Sequence, residues 1–285
     1  MVGQEIAGFL RENLDPAVGG YGEPMRTVAL PDGVRLVVWE QGAGTPVLLL
    51  HAWGETHRSF DRLVELLPAN VRLLAVDQRG AGDSDRPATG YRLVDAAADV
   101  VGVLDALDIP AAWVVGTSSG GYVAQRLALD HPERVLGLVL VGAPRSLAGL
   151  DPFGEVLEAF HDPVTADDIQ AINERLALPA SIPRDFIEVQ DAAALTIPRH
   201  VWLAGYRGLV EAAAPTETGR IRVPTLLLSG ADDELVGPTE ADRLAASIPG
   251  SRHRRYDETG HFVLWERPEW VARDIVDFLD RDPCS

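Results

Sequence analysis

Short, continuously apolar runs alternate with helix-length segments along most of this 285-residue chain, and that alternation leaves few folds open. The runs are Pro46–Leu50, Val71–Val76, Ala112–Val115, Val135–Val141 and Thr225–Leu228. A strand that is apolar at every position, not at every second one, has to be covered on both faces, which is the condition of a parallel sheet between two helix layers. Ser59–Leu67, Leu93–Leu107, Ser119–Leu129, Thr239–Ile248 and Pro268–Leu279 read as the covering helices. The expected fold class is therefore α/β, with a doubly wound, mostly parallel sheet. Upstream, Arg26–Leu30 and Val34–Glu40 flank Pro31-Asp32-Gly33, a turn sequence that predicts a hairpin at a sheet edge. Residues 3–14 read as a short helix, followed by a flexible Gly19-Gly20-Tyr21-Gly22, together forming an arm.

The alternation breaks once. From 147 to 218 the chain is rich in Ala, Leu and Asp, with helical periodicity and no convincing strand, before Val223–Leu228 resumes the sheet. Placed after the sixth strand, such an insertion lies over the strand ends as a helical lid, so residues 1–146 and 219–285 make one core domain and 147–218 its cap. The length suits a single large domain carrying an insertion.

One strand runs straight into a motif. Ala112-Trp113-Val114-Val115 leads into Gly116-Thr117-Ser118-Ser119-Gly120-Gly121, a Gly-x-Ser-x-Gly turn opening a helix. A serine presented at the tip of a sharp strand-to-helix turn needs small neighbours, and Gly116 and Gly120 supply them around Ser118. Centring the motif on Ser119 would put Thr117 where a glycine is wanted. Ser119 then opens the helix, and its backbone N–H, without an intrahelical partner, is a candidate donor to an anionic oxygen beside Ser118. By itself the motif also fits a Gly/Ser-rich loop capping a helix, so the rest of the chain has to supply the context.

Composition removes several chemistries. There is no lysine, which excludes a Schiff-base lysine, a pyridoxal anchor and a phosphate-loop lysine. The single cysteine, Cys284, is next to the C-terminal residue, so no internal disulfide, thiolate metal site or cysteine nucleophile is expected. Neither a cofactor nor a metal is implied. A net charge of −18 argues against nucleic acid and anionic membranes as partners. The first ten residues lack a basic start followed by an apolar run, and no stretch approaches the roughly 20 apolar residues of a membrane span, so a cytoplasmic location is expected.

A serine hydroxyl becomes a useful nucleophile when a histidine takes its proton and a carboxylate holds the histidine's tautomer. Of seven histidines, His261 in Glu258-Thr259-Gly260-His261 stands in a turn between the short run Arg254–Tyr256 and the last helix, where a loop residue reaches the strand ends. His131 reads as a surface helix terminus, and His57, His161, His200 and His253 have no comparable setting. The acid falls in Ser229-Gly230-Ala231-Asp232-Asp233-Glu234, directly after a buried strand. The spacing of Asp233 from Gly230 and Val236 suits a carboxylate projecting off the strand end, with Asp232 and Glu234 in solvent; an acidic surface turn is the alternative.

The order Ser118, Asp233, His261 is that of the α/β-hydrolases, and the chain resembles that superfamily in three further segments. Leu49-Leu50-His51-Ala52-Trp53-Gly54 is similar to the family's His-Gly loop after the third strand, whose backbone helps bind an oxyanion; Ala52 stands where the family has glycine, and the resemblance makes the Trp53 N–H the second donor beside that of Ser119. Asp77-Gln78-Arg79-Gly80-Ala81-Gly82-Asp83-Ser84 resembles a segment that is structural in the family. Gly260-His261-Phe262 with Glu266-Arg267-Pro268-Glu269 resembles its histidine loop and final helix. The likeness covers most of the chain outside the arm and the lid.

Haloalkane dehalogenases and epoxide hydrolases of this fold carry aspartate at the elbow, unlike Ser118. The resemblance thus implies a serine hydrolase acting on a small-molecule carboxylic ester or lactone. Carbon–carbon bond (keto-acid) hydrolysis and cofactor-free haloperoxidase activity stay open on the same fold, as does a receptor-like protein with little turnover. A lid arginine lining the site would mark the keto-acid reading, and Arg184, Arg199 and Arg207 are available. For substrate binding the lid offers Phe160, Phe186, Trp202 and Tyr206, together with Phe153; the alternative is that these rings bury the lid on the sheet.

Overall fold

The computed structural model describes residues 25–280; the predicted arm at 3–14 and 19–22, and Cys284, lie outside them. In chain order the strands are β1 (Met25–Ala29), β2 (Arg35–Gln41), β3 (Thr45–Leu50), β4 (Val71–Asp77), β5 (Ala112–Thr117), β6 (Val135–Val141), β7 (Thr225–Gly230) and β8 (Arg252–Tyr256). The helices are α1 (Asp61–Val64), α2 (Leu93–Ala106), α3 (Ser119–Asp130), α4 (Gly154–Glu158), α5 (Ala166–Leu176), α6 (Arg184–Ala194), α7 (Arg199–Val210), α8 (Pro215–Thr218), α9 (Pro238–Ser247), α10 (Val263–Glu266) and α11 (Pro268–Leu279). The strands form one sheet in the order β1-β2-β4-β3-β5-β6-β7-β8. Pairing is antiparallel for β1 with β2 and β2 with β4, and parallel for all the others, so the hairpin at Pro31-Asp32-Gly33 occupies the edge and the buried strands run together.

Why the central runs are apolar throughout is visible in β3. Leu48 and Leu50 pack under Val100, Val103, Tyr122 and Leu127 from α2 and α3, with Leu244 of α9 in the same layer. Val47 and Leu49 face the other way, toward Leu63 of α1 and Val271 and Phe278 of α11. Neither face meets water, so neither alternates. Among the described residues no helix is long and apolar enough to cross a membrane.

The expected helix at Ser59–Leu67 is shorter than its sequence suggests. A 3₁₀ turn at His57–Phe60 leads into α1, and Leu66 and Leu67 then bond back three residues to Leu63 and Val64 as the chain approaches Pro68. Proline disfavours an α conformation in the residue before it, which stops the helix early.

Between β6 and β7 lie five helices, α4 to α8, and no strand. Thr165 caps α5 reciprocally with Asp168, and Ala177 at φ 49° ends that helix. A third apolar cluster joins these helices through Phe153, Leu157, Phe160, Ile169, Ile172, Val201, Trp202 and Tyr206, and Trp53 of the core packs against it. The chain runs from β3 outward to β4 and then returns to place β5 on the other side of β3, so the sheet has a switch point between β3 and β5. Loops leaving two such strands diverge and open a crevice at their carboxyl ends.

Candidate active site

Ser118 stands at that crevice, between β5 and α3, with its backbone at φ 46° and ψ −119°. Non-glycine residues avoid this region, and it persists only where the surroundings enforce it. Here the Ser118 N–H donates to the Val141 carbonyl at 2.8 Å, and the Ser118 carbonyl accepts the Gly121 N–H at 2.9 Å. The flanking glycines are steric requirements: a Cβ on Gly116 would lie 2.5 Å from the Gly120 carbonyl oxygen, and one on Gly120 would lie 2.2 Å from that of Leu50.

Two loops bring the partners. Ser118 Oγ is 3.0 Å from His261 Nε2, and His261 Nδ1 is 2.9 Å from Asp233 Oδ2. The other carboxylate oxygen of Asp233 accepts the N–H groups of Leu235 and Val236, each at 2.9 Å. Asp232 and Glu234 are exposed while Asp233 is buried. The acid loop is tied to the histidine loop through Asp232 N–H to Thr259 O at 2.9 Å, and Gly260 N–H is held by Glu266 Oε1 at 3.0 Å. Burial alone would raise the Asp233 carboxyl, but the His261 hydrogen bond and charge, with the Val236 and Leu235 donors, outweigh it and hold the group below the usual carboxylate range. An ionised Asp233 accepts the Nδ1 proton, which leaves Nε2 as the acceptor for the Ser118 hydroxyl.

The loop after β3 is braced from within. His51, buried, donates from Nδ1 to the Ala52 carbonyl at 2.8 Å and accepts the Gln78 N–H on Nε2 at 3.0 Å; burial lowers its pKa and keeps it a neutral strut. Ala52 is not among the described residues with positive φ, so its Cβ imposes no strain; the tight turn falls on Gly54 at φ 82°, where a Cβ would meet the Trp202 ring. The Trp53 N–H donates to Ser119 Oγ at 2.6 Å. The Trp53 indole donates to the Trp202 carbonyl at 3.1 Å and packs within 5.4 Å of Phe153, Trp202 and Tyr206, so this loop supports the helices between β6 and β7. A second histidine–aspartate pair, His57 Nδ1 to Asp77 Oδ1 at 2.8 Å, is buried under Trp39; Asp77 also accepts the His57 and Asp83 N–H groups, bracing the loops after β3 and β4.

Ser118 and His261 open into a cavity of about 1050 Å³, part of it continuous with solvent, walled by Leu147, Leu150, Phe153, Ile172, Leu176, Tyr206, Phe262 and Trp265 among others. A second cavity of about 790 Å³ lies behind the Trp53 loop and shares Ala52, Trp53, Ser119 and Leu209 with the first. Of the lid residues singled out from the sequence, Tyr206 lines the first cavity and Trp202 the second. Phe160 and Phe186 line neither: Phe160 packs on Trp202 at 5.5 Å and Phe186 on Trp265 at 5.3 Å, both buried. None of the three arginines singled out from the 147–218 segment reaches the Ser118 cavity. Arg184 is 92% exposed beside Glu188, Arg199 donates to the Phe160 carbonyl and Arg207 faces solvent. Arg79 borders the second cavity, but Asp99 and Asp32 occupy its guanidinium. Sequence reasoning passed over Glu55, a carboxyl in the wall of the Ser118 cavity; its signal was an acidic residue in the loop directly following a buried strand. Among the described residues no group of three or more His, Cys, Asp or Glu is placed to hold a metal ion.

Comparison with known proteins agrees with this architecture. A family model described as the alpha/beta hydrolase fold matches residues 45–178 and 190–268. A non-heme chloroperoxidase of Streptomyces lividans is 31% identical, over 90% of this chain and 99% of its own. A 2-hydroxymuconate semialdehyde hydrolase of Pseudomonas sp. (strain CF600) is 32% identical, over 87% and 91%. Among solved structures, an esterase from Rhodococcus sp. ECU1013 superposes with a TM-score of 0.80 at 27% identity, covering 91% of this chain and 99% of that one.

Proposed function

The chain belongs to the α/β-hydrolase family, and from that premise we propose that it is a serine hydrolase that cleaves a carboxylic ester or lactone through an acyl-enzyme. The observation that carries the reading is the hydrogen-bonded line from Ser118 Oγ through both nitrogens of His261 to Asp233, opening on an apolar cavity.

In this reading Ser118 Oγ attacks the carbonyl carbon while His261 Nε2 takes its proton, and Asp233 holds the tautomer and stabilises the imidazolium. The backbone N–H groups of Ser119 and Trp53 receive the oxyanion. Collapse expels the alcohol with the proton from His261, and water activated by the same histidine releases the acid. Residues 147–218 serve as the lid, and Tyr206 and Phe153 hold the apolar part of the substrate. Similarity to a 2-hydroxymuconate semialdehyde hydrolase favours the keto-acid reading. Against it stands the lining of the Ser118 cavity, which contains no arginine among the described residues. The net charge of −18 and the lone Cys284 support a small-molecule partner and a cytoplasmic setting.

A 4-nitrophenyl ester of a medium-chain acid is the direct test. Turnover with a pre-steady-state burst, and loss of activity on stoichiometric phosphonylation of Ser118, are expected; no turnover above background, or labelling elsewhere with activity lost, would refute the proposal.

A further inference from the structure

The Ser118 cavity is lined by aliphatic and aromatic side chains, and its ionisable lining residues are Glu55, Tyr206, Glu240 and His261; burial pushes the Tyr206 hydroxyl up to about 12, so it stays neutral. Glu240 is answered by two guanidinium groups, Arg243 at 2.5 Å and Arg145 at 3.5 Å. Glu55 has a different setting. Its Oε2 accepts the Ala52 N–H at 3.1 Å and Ser59 lies beside it, while the wall around it is Trp53, Ile172, Leu176, Phe262 and Trp265. Burial pushes its carboxyl up to about 7, against the opposing pull of the Ala52 N–H, Ser59 and the His261 charge.

Other titratable groups around this carboxyl are few. The histidine loop brings His261, α6 brings Asp191 into the adjoining cavity that Glu55 also borders, and α9 brings Glu240. In the turn that follows Glu55, His57 is bound to Asp77 and Arg58 to Asp61. Lid helix α5 contributes Ile172, Leu176 and Asn173 to these walls and no charge.

We infer that Glu55 sets the charge selectivity of this cavity: ionised, it turns away substrates whose acyl or alcohol part ends in a carboxylate, and protonated, it admits them. A like charge is costly where the walls are apolar and no arginine among the described lining residues stands by to offset it. Specificity then comes from repulsion of the wrong substrate as much as from contact with the right one. The inference rests on the serine-hydrolase reading and refines its substrate class to neutral esters and lactones at and above neutral pH.

The test is the ratio of kcat/KM for 4-nitrophenyl hexanoate to that for the mono-4-nitrophenyl ester of adipic acid, measured from pH 5.5 to 8.5. Protonation of His261 affects both substrates and cancels in the ratio. In the wild-type protein the ratio is expected to rise at least tenfold, with its midpoint near 7. In Glu55→Gln, whose amide oxygen still accepts the Ala52 N–H, it should change less than twofold, and Glu240→Gln should keep the wild-type rise. A flat wild-type ratio, or an equal rise in Glu55→Gln, overturns the inference. Wild-type protein that turns over neither ester overturns the hydrolase reading instead, and charge selectivity is then read by titration calorimetry with hexanamide and adipamic acid. The same pH-dependent preference supports the role of Glu55, and equal binding at all pH values refutes it.

Discussion

Replacing Ser119 by alanine should make the enzyme faster. The Trp53 N–H, proposed as an oxyanion donor, is engaged by Ser119 Oγ at 2.6 Å. To reach a substrate oxyanion it has to leave that hydroxyl, so the bond stabilises the free enzyme and is absent from the transition state. A neutral intramolecular hydrogen bond contributes about 0.5–1.5 kcal/mol net. Removing it from the ground state alone therefore raises kcat/KM by about 2- to 12-fold, on the scale of about 1.4 kcal/mol per factor of ten. Alanine keeps the backbone N–H of position 119, the other proposed donor. Steady-state hydrolysis of 4-nitrophenyl hexanoate measures the rate, and the affinity for an alkylboronic acid, which mimics the tetrahedral intermediate, should rise by the same factor. An unchanged rate would show that the Trp53 N–H is not used. A fall of roughly 10²–10³, the usual cost of a lost oxyanion donor, would show that the Ser119 hydroxyl itself donates to the oxyanion.

Three further outcomes are expected. Ser118→Ala should lower kcat by on the order of 10⁶ with the unfolding transition unchanged, since a serine and its histidine act as one unit; activity within tenfold of wild type would remove Ser118 from the mechanism. Asp233→Asn should cost roughly 10⁴ in kcat and Asp232→Asn less than about twofold, because the Asp233 carboxylate is the one that meets His261 Nδ1; equal losses would break the assignment. Asp77→Ala, which removes the carboxylate that accepts from the His57 ring, the His57 N–H and the Asp83 N–H, should destabilise the fold by about 3–5 kcal/mol in urea unfolding. A change under about 1 kcal/mol would mean that the pair does not brace the two loops.

Much of the molecule was legible in the residues because the relevant forces act over short spans. Five apolar runs without alternation imply burial on both faces, and Pro31-Asp32-Gly33 between two strands implies a hairpin, whatever lies elsewhere in the chain. The elbow is legible for the same reason: Gly116 and Gly120 are needed by backbone contacts within the strand, the turn and the adjoining loop. The order of Ser118, Asp233 and His261, each directly past a strand or a turn glycine, places all three at one edge of a parallel sheet before any coordinate is known.

Tertiary structure decided what faces what. Trp202 and Tyr206 are one helical turn apart on α7, yet the first borders the cavity behind the Trp53 loop and the second the cavity at Ser118, while Phe160 and Phe186 reach neither. The rotation of such a helix is set by packing against residues far away in sequence, here Trp53 and Trp265, and periodicity within the helix carries no information on it. The same holds for Arg184, Arg199 and Arg207, available to the site by composition and directed away from it by the seating of the helices between β6 and β7. It holds most for Glu55 and for the Trp53–Ser119 bond, which spans 66 residues. An acidic side chain in a loop reads as solvated until the helices that cover it are in place, and only then does burial change what its carboxyl can do.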